Sequence, residues 1–465
     1  MAPSNTSHYD AILLGSGQGG TPLAGAFAKA GRRTLLIDRL HVGGTCINEG
    51  CTPTKTMVAS ARVAYLARRG ADYGVHGGPI SVDQARVRER KRAIVESFRG
   101  GSEDRLVAAG VEVQFGQGRF VAPRTLEITT TDGTASRVSA DVVVISTGLR
   151  NAPPDIAGLD TVTALDNVSI MELDRAPEHL VVIGAGYVGL EFAQMFRRFG
   201  STVTVVGRGP ALLGREDADI ADALLNILRE DGIEFHLDTN TRSVATGPGG
   251  GIRLTVQRGE ITSTIDGSHL LLAAGRRPNT DDLDAAAGGV NLDSKGFVVV
   301  SPTLETSAAG TYAIGDVKGG PAFTHIAYDD FRILNHNLLN GGSATTTDRL
   351  LPYTVFTDPQ LGRVGMTEQE AREAGRDVRV ATMPMSHVAR AIEMDETRGF
   401  MKAIVDTKTN RILGAAVLGL EGGELATVLQ VAMMGGLPYT ALRDTVFSHP
   451  TMAESLNNLF AALDS

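Results

Sequence analysis

The chain has 465 residues, 42% hydrophobic and 21% charged, with a mean hydropathy of zero. That length exceeds what one hydrophobic core can hold and, at roughly 150 residues per domain, divides into about three domains; no apolar run approaches the ~18 residues of a membrane span. With 44 Lys and Arg against 53 Asp and Glu the net charge is −9, which repels phosphate backbones and argues against a nucleic-acid partner.

The start of the chain has no basic leader, and its short apolar stretch Ala11 to Leu14 runs directly into glycines, as a first strand does and a signal peptide does not. The segment Tyr9-Asp-Ala-Ile-Leu-Leu-Gly-Ser-Gly-Gln-Gly-Gly20 predicts that strand, followed by a turn carrying Gly15, Gly17 and Gly20. A helix-compatible stretch, Thr21 to Ala30, and a second strand from Arg33 to Asp38 come next. A lone GxGxxG reads equally well as a tight turn, but strand, glycine turn, helix, strand and terminal acid in this order form a dinucleotide fingerprint. The glycines let backbone approach a pyrophosphate at the helix N-terminus, where N–H groups and the macrodipole favour anions, and Asp38 is placed to accept hydrogen bonds from ribose.

The only two cysteines follow in Gly43-Gly-Thr-Cys-Ile-Asn-Glu-Gly-Cys-Thr-Pro-Thr-Lys55. Too close to staple a secreted scaffold, they read as a reactive pair in a reducing compartment, the cytoplasm. Small buried hydrophobes are the other reading of a free cysteine. Against it, Pro53 suits the first turn of a helix and Lys55 to Ala67 has helical composition, which puts Cys51 at a helix N-terminus. That position stabilises a thiolate, which can share charge with an oxidised flavin; Cys46, looser in the preceding loop, is then the thiol that meets substrate.

The fingerprint recurs as Leu180-Val-Val-Ile-Gly-Ala-Gly-Tyr-Val-Gly-Leu-Glu191, with Gly184, Gly186 and Gly189 in the same register, so two nucleotides are predicted. Asp38 lies eighteen residues after Gly20, and eighteen residues after Gly189 stands Gly207, followed by Arg208. A small residue beside arginine leaves room for a 2′-phosphate and supplies a bidentate partner, which favours NADPH over NADH, with Arg215 as a second contact. The alternative is that Arg208 is a solvated loop residue.

These motifs, with Ser146-Thr-Gly148, Ala274-Gly-Arg-Arg-Pro-Asn279, Tyr312-Ala-Ile-Gly-Asp316 and His449-Pro-Thr-Met-Ala-Glu454, run through nearly the whole chain. In that order they resemble the pyridine nucleotide-disulfide oxidoreductases, the family of glutathione reductase, dihydrolipoamide dehydrogenase and mercuric reductase. The resemblance implies an α/β fold of two Rossmann-like dinucleotide-binding domains, for FAD and NAD(P), with a C-terminal α+β dimerisation domain. It further implies that Gly44, Thr45, Lys55, Gly118, Thr147, Gly148 and Asp316 join the first fingerprint in holding FAD, Asp316 on the ribityl chain. Lys55 and Glu191 would pair beside the flavin ring, Tyr187 would gate the nicotinamide pocket, and Gly275 would join the NADP site. His449 and Glu454 resemble the family's acid-base dyad, which in a homodimer reaches Cys46 of the partner subunit. Disulfide interchange needs such a group, because a proton must leave one sulfur and return to the departing one, and a carboxylate can fix the imidazole tautomer.

The expected segments are an FAD domain over 1–149, an NADPH domain over 150–272, a return to the FAD domain over 273–345 and an interface domain over 346–465. Gly247-Pro-Gly-Gly-Gly251 reads as a hairpin loop inside the second. The residues at the C-terminus, Asn457 to Ser465, carry no second cysteine pair of the mercuric-reductase or large thioredoxin-reductase kind, and no resident metal site is expected. Gly207 stands where dihydrolipoamide dehydrogenases usually have an acid. Glu49 and Thr52 replace aliphatic residues common in the family, and a carboxylate at 49 opposes a thiolate at Cys51 unless it points to solvent. Thr324 to Arg332, Arg363 to Glu368, Thr397 to Asp406 and Leu437 to Asp444 resemble the reactive-chlorine-resistance branch of the mercuric-reductase-like flavoproteins, associated with copper(II) reduction.

The leading expectation is an enzyme that carries electrons from NADPH through FAD and Cys46–Cys51 to a small disulfide. A mercury(II) or copper(II) reductase and a dihydrolipoamide dehydrogenase-like enzyme are alternatives within that class. A flavoprotein redox sensor is the alternative outside it, and the presence of Lys55, Glu191, His449 and Glu454 together favours turnover.

Overall fold

Residues Ala11 to Leu14 and Val143 to Ile145 are buried on both faces of their strands, as near-continuous aliphatic runs are in a parallel sheet covered on both sides. They form the centre of a seven-stranded sheet in the computed structural model, which describes residues 6–464. Strand Ser7–Leu14 pairs in parallel with Thr34–Asp38 and Ala135–Ile145; Glu112–Phe115 extends one side, Thr125–Thr129 and Gln117–Ala122 the other, and Thr311–Ala313 also pairs with Ala135–Ile145. This sheet belongs to a unit built from residues up to Met57, Arg86–Ala152 and Gly275–Arg349.

A second unit comprises Val58–Ala85, Pro153–Ala274 and the chain from Leu350 onward. Its parallel sheet runs Ile233–His236, Thr202–Val206, His179–Ile183, His269–Leu272 and Ala164–Leu165, with aliphatic Leu180 to Ile183 and Val203 to Val206 again buried. Helix Tyr187–Phe199 packs on it and stops at Gly200, whose φ of 114° closes the helix in the left-handed region. The glycine stretch 247–251 joins the antiparallel strands Asn240–Thr246 and Ile252–Arg258, as the hairpin reading requires. The C-terminal part is a five-stranded antiparallel sheet in the order Tyr353–Val355, Gln360–Gly365, Ile412–Gly419, Phe400–Asp406, Val378–Pro384. Helices Gly422–Met434, Tyr439–Asp444 and Ser455–Ala461 supply apolar faces to its core, Leu425, Leu429, Leu442, Leu456 and Phe460 among them. Among the described residues no helix is long and apolar enough to cross a membrane.

Candidate active site

Strand Ser7–Leu14 delivers the chain to Gly15 at φ +101°, where a Cβ would stand 2.2 Å from Ser146 O. Only glycine lets this turn press against Ser146, Thr147 and Gly148, the turn that follows strand Ala135–Ile145. Gly17 continues the turn and its carbonyl accepts from Thr21 N at 3.0 Å, and Gly20 opens helix Gly20–Lys29, whose start carries no side-chain N-cap. Asp38 ends strand Thr34–Asp38, and one of its oxygens accepts from Ser16 N at 2.9 Å and from Ser16 Oγ at 2.5 Å, bracing the turn. A Cβ at Gly44 would fall 2.6 Å from Gly17 Cα, and one at Gly118, in strand Gln117–Ala122, 2.6 Å from Leu14 Cδ2. Asp316 lies in the turn Gly315–Lys318, 3.4 Å from Arg276 Nη1; burial pushes its carboxyl up, and Arg276 and Lys318 act against that.

Cys51 is the first residue of helix Cys51–Arg68, which also carries Lys55, as Pro53 led us to expect. The loop expected around Cys46 is instead a short helix, Gly44–Asn48, that also holds Thr45. Gly43 turns the chain at φ 108°, and Asn48 Nδ2 then donates to Gly44 O at 3.0 Å and Val42 O at 3.1 Å, while Arg99 Nε donates to Asn48 Oδ1 at 2.8 Å. Those side-chain bonds wind up a string that its glycines made look irregular. Exposure also differs from the expectation of a looser Cys46, which is half-buried while Cys51 is exposed.

Both cysteines are free thiols, and Cys51 is the largest influence on the Cys46 proton. Cys51 Sγ lies 3.2 Å from Thr324 Oγ1 at the start of helix Thr324–Leu339. Cys46 is pushed well up, first by its hydrogen bond with Cys51 and then by burial, with the Thr324 hydroxyl and Lys55 acting the other way. Cys51, at its helix start and within reach of the Thr324 hydroxyl, is the sulfur better placed to become a thiolate. Sequence reading missed Thr324, because it stands 273 positions from Cys51 and no local pattern marks it.

Gly184 repeats Gly15 after strand His179–Ile183: its φ is +122° and a Cβ would stand 2.3 Å from Ala273 O. Gly186 caps helix Tyr187–Phe199 without a side-chain bond, and Tyr187, Gly189 and Glu191 occupy its first turns. Glu191 is buried, and its Oε1 accepts from Phe356 N at 2.9 Å. At Gly207, just past strand Thr202–Val206, a Cβ would meet Ala185 Cβ at 2.9 Å and Leu237 Cδ2 at 3.1 Å. An acid equivalent to Asp38 therefore has no room there unless the glycine turn moves. Arg208 and Arg215 are exposed on the segment leading to helix Ala218–Glu230. Gly275 precedes strand Arg276–Pro278 and belongs, like Lys55, to the first unit, whereas Glu191 belongs to the second.

His449 Nδ1 lies 2.9 Å from Glu454 Oε2 and 3.0 Å from Oε1, with the imidazole 72% exposed and the carboxylate mostly covered. This is the geometry in which a carboxylate holds Nδ1–H and leaves Nε2 to exchange a proton outward. Among the described residues no group of three or more His, Cys, Asp and Glu is arranged to hold a metal ion.

Residues 9–330 match the family described as pyridine nucleotide-disulphide oxidoreductase, and residues 351–460 match that family's dimerisation domain. The chain belongs to the pyridine nucleotide-disulphide oxidoreductase family. It is 38% identical over 458 residues to the probable pyridine nucleotide-disulfide oxidoreductase RclA of Escherichia coli (strain K12), covering 97% of this chain and 99% of that one. A mercuric reductase of Streptomyces lividans is 35% identical over 450 residues, 96% of this chain and 94% of the relative. The HOCl-induced flavoprotein disulfide reductase RclA of Escherichia coli, solved as a Cu(II) complex, superposes with a TM-score of 0.90 at 37% identity, covering 98% and 99% of the two chains. This pyridine nucleotide-disulphide oxidoreductase thus has two Rossmann-like domains and a C-terminal dimerisation domain, and it is a flavoprotein disulfide oxidoreductase of the RclA type, related to mercuric reductases.

The family works with FAD and a pyridine nucleotide, and the residues present fit a flavin dinucleotide. Thr147 Oγ1 is buried without a hydrogen-bond partner beside Gly15, whose missing Cβ keeps the cradle open. The uncapped start of helix Gly20–Lys29 suits a pyrophosphate, and the partly buried Asp316 carboxyl suits a hydroxyl-bearing chain.

Proposed function

We propose that this enzyme oxidises NADPH and passes two electrons to the Cys46–Cys51 pair, which as a dithiol reduces a small disulfide. The observation that carries the reading is the pair of free cysteines on consecutive helices, Gly44–Asn48 and Cys51–Arg68, with Cys51 Sγ 3.2 Å from the Thr324 hydroxyl. FAD, held by Gly15, Gly17, Gly20, Asp38, Gly44, Thr45, Lys55, Gly118, Thr147, Gly148 and Asp316, supplies the two-electron carrier between nicotinamide and cysteines. NADPH would lie on the second fingerprint, with Gly184, Gly186 and Gly189 at the pyrophosphate and Tyr187 and Glu191 on the helix that follows, and Arg208 and Arg215 would receive its 2′-phosphate. NADPH and one proton turn the protein disulfide into two thiols and leave NADP⁺.

In the oxidative half, Cys46 attacks the substrate S–S bond, one substrate thiol leaves, and Cys51 then attacks the mixed disulfide to release the second thiol and restore Cys46–Cys51. Because only the thiolate attacks a disulfide and the Cys51 contact and burial push the Cys46 thiol up, a base must take its proton before attack. His449 fits that task, with Glu454 holding Nδ1 and Nε2 accepting the proton and then returning it to the leaving sulfur. The dyad acts in a homodimer with a composite site, on Cys46 of the partner subunit, a reading supported by the dimerisation domain.

A second reading is favoured by one observation, the Cu(II) complex of the Escherichia coli relative. Here one dithiol reduces two copper(II) ions to copper(I), releases two protons and becomes the disulfide. Anaerobic NADPH oxidation measured against glutathione disulfide, lipoamide and cystine, and then against copper(II) and mercury(II), separates the two. A disulfide that sustains turnover lost in Cys46→Ser supports the first reading; turnover with metal ions alone supports the second, and turnover undiminished in Cys46→Ser contradicts both.

A further inference from the structure

The segment between strand Thr202–Val206 and helix Ala218–Glu230 carries both exposed arginines assigned to the 2′-phosphate, yet its far end is not a free loop. Leu213, in the left-handed region at φ 46°, donates its N–H to Ala185 O at 3.2 Å in the second glycine turn, and Glu216 N donates to Leu213 O at 2.8 Å. Glu216 then turns inward until its side chain is 1% exposed, with Oε2 3.0 Å from Arg363 Nη2 and Oε1 accepting from the Tyr353 hydroxyl. Asp217 accepts from Glu368 N at 3.1 Å and Gln369 N at 3.2 Å, and lies 3.3 Å from Lys402 Nζ and 3.5 Å from Arg363 Nη2. Arg363 and Lys402, on strands Gln360–Gly365 and Phe400–Asp406 that flank strand Ile412–Gly419 and both opposite its Ala416, are themselves 2% and 3% exposed.

A fully buried ion pair adds little net stability compared with apolar side chains of the same volume, because both charges lose their hydration. What it does supply is a fixed geometry, since Glu216, Arg363, Tyr353 and Asp217 satisfy one another away from water and none can move without unpairing a buried polar group. Here the fixed residue is Glu216, the chain neighbour of Arg215, so the anchor sets where the backbone of that arginine stands. The other end of the segment is set by Gly207 against Ala185 Cβ.

We propose that Glu216, Arg363 and Tyr353 are positioning residues for coenzyme selection: by anchoring residues 213–217 to the C-terminal sheet they hold Arg215 in place for the 2′-phosphate of NADPH. The inference rests on the reading that Arg208 and Arg215 receive that phosphate. Glu216→Gln removes the nearer of the two carboxylates beside Arg363 and leaves Asp217 as its counter-charge, and Tyr353→Phe removes only the hydroxyl bond to Glu216. Both should weaken NADP⁺ binding selectively, while NAD⁺, which has no 2′-phosphate, should bind as before.

The test is calorimetric titration of FAD-loaded protein with 2′,5′-ADP, NADP⁺ and NAD⁺, for the wild type, Arg215→Ala, Arg208→Ala, Glu216→Gln, Tyr353→Phe and Arg363→Met. The expected result is a loss of roughly tenfold in 2′,5′-ADP and NADP⁺ affinity in both arginine-to-alanine variants and in Glu216→Gln, with a smaller loss in Tyr353→Phe and NAD⁺ affinity held within about twofold. If Arg215→Ala weakens 2′,5′-ADP binding but Glu216→Gln and Tyr353→Phe do not, the anchoring role is overturned while the phosphate reading stands. Equal losses for NAD⁺ and NADP⁺ in Glu216→Gln would make the anchor merely structural and overturn it too. Undiminished 2′,5′-ADP binding in both arginine-to-alanine variants would remove the phosphate reading and the inference with it. None of these outcomes depends on Arg363→Met, so a failure of that variant to fold leaves the test intact.

Discussion

Replacing Thr324 by valine keeps the shape of the side chain and deletes the hydroxyl that stands 3.2 Å from Cys51 Sγ. That hydroxyl also acts on Cys46, in the direction that lowers its pKa. A donor hydrogen bond favours the charged form of its acceptor, so losing it must raise the first apparent pKa of the reduced pair. Hydrogen bonds to charged groups contribute about 1.5–3 kcal/mol. Because Cys51 is exposed, solvent screening selects the lower end. About 1.5 kcal/mol is about one pH unit. The assay is the pH dependence of iodoacetamide alkylation of the phosphine-reduced protein, read together with thiolate absorbance in the ultraviolet. Thr324→Val should move the midpoint up by about one unit, and Thr324→Ser, which keeps the hydroxyl, should leave it in place. A midpoint in Thr324→Val that is unchanged or lower would refute the assignment of Thr324 as a thiolate donor.

Purified protein should be yellow and carry one FAD per chain, by absorbance after heat release; folded protein that cannot be reconstituted with FAD would contradict the reading of the Gly15 cradle and the Thr147 turn. Arg208→Ala should lower kcat/KM for NADPH relative to NADH by roughly tenfold or more, the contribution of one charged hydrogen bond of about 1.5–3 kcal/mol. Equal loss with both coenzymes would make Arg208 a structural residue. His449→Ala should leave reduction of the flavin by NADPH nearly intact in stopped flow while slowing disulfide turnover by about 10²-fold, as loss of a general acid-base does. Disulfide turnover that survives in this variant means that the dyad is misassigned or that disulfides are not what the enzyme reduces.

Both nucleotide turns were legible in the sequence because a backbone pressed against its neighbour demands glycine at fixed positions. The 2.2 Å and 2.3 Å approaches at Gly15 and Gly184 are that demand in the structure. Cys51 at a helix start was legible for the same local reason, a proline two residues on. The short helix around Cys46 was not, since it depends on Arg99 reaching back to Asn48 from a later helix. Gly207 was read as a residue that leaves room for a phosphate; the sequence could not say that Ala185 and Leu237 also close the position to an acid. Contacts made across long stretches of chain leave no local trace at all. Asp217 and Arg363 meet 146 positions apart, and each alone reads as an ordinary surface charge although both are buried. Thr324 stands inside a segment that carries a family resemblance, but nothing in its neighbours points to a sulfur.

The central claim, that electrons leave through Cys46 and Cys51 with distinct roles, is tested most directly by the absorption spectrum after anaerobic addition of two electrons. If Cys51 is the thiolate beside the flavin, the wild type should gain a long-wavelength thiolate-to-flavin band. Cys46→Ser should keep or strengthen that band, because Cys51 can no longer be locked in a disulfide, and Cys51→Ser should lose it. The band persisting in Cys51→Ser and vanishing in Cys46→Ser would exchange the two roles, and its absence from the wild type and from Cys46→Ser alike would contradict the account.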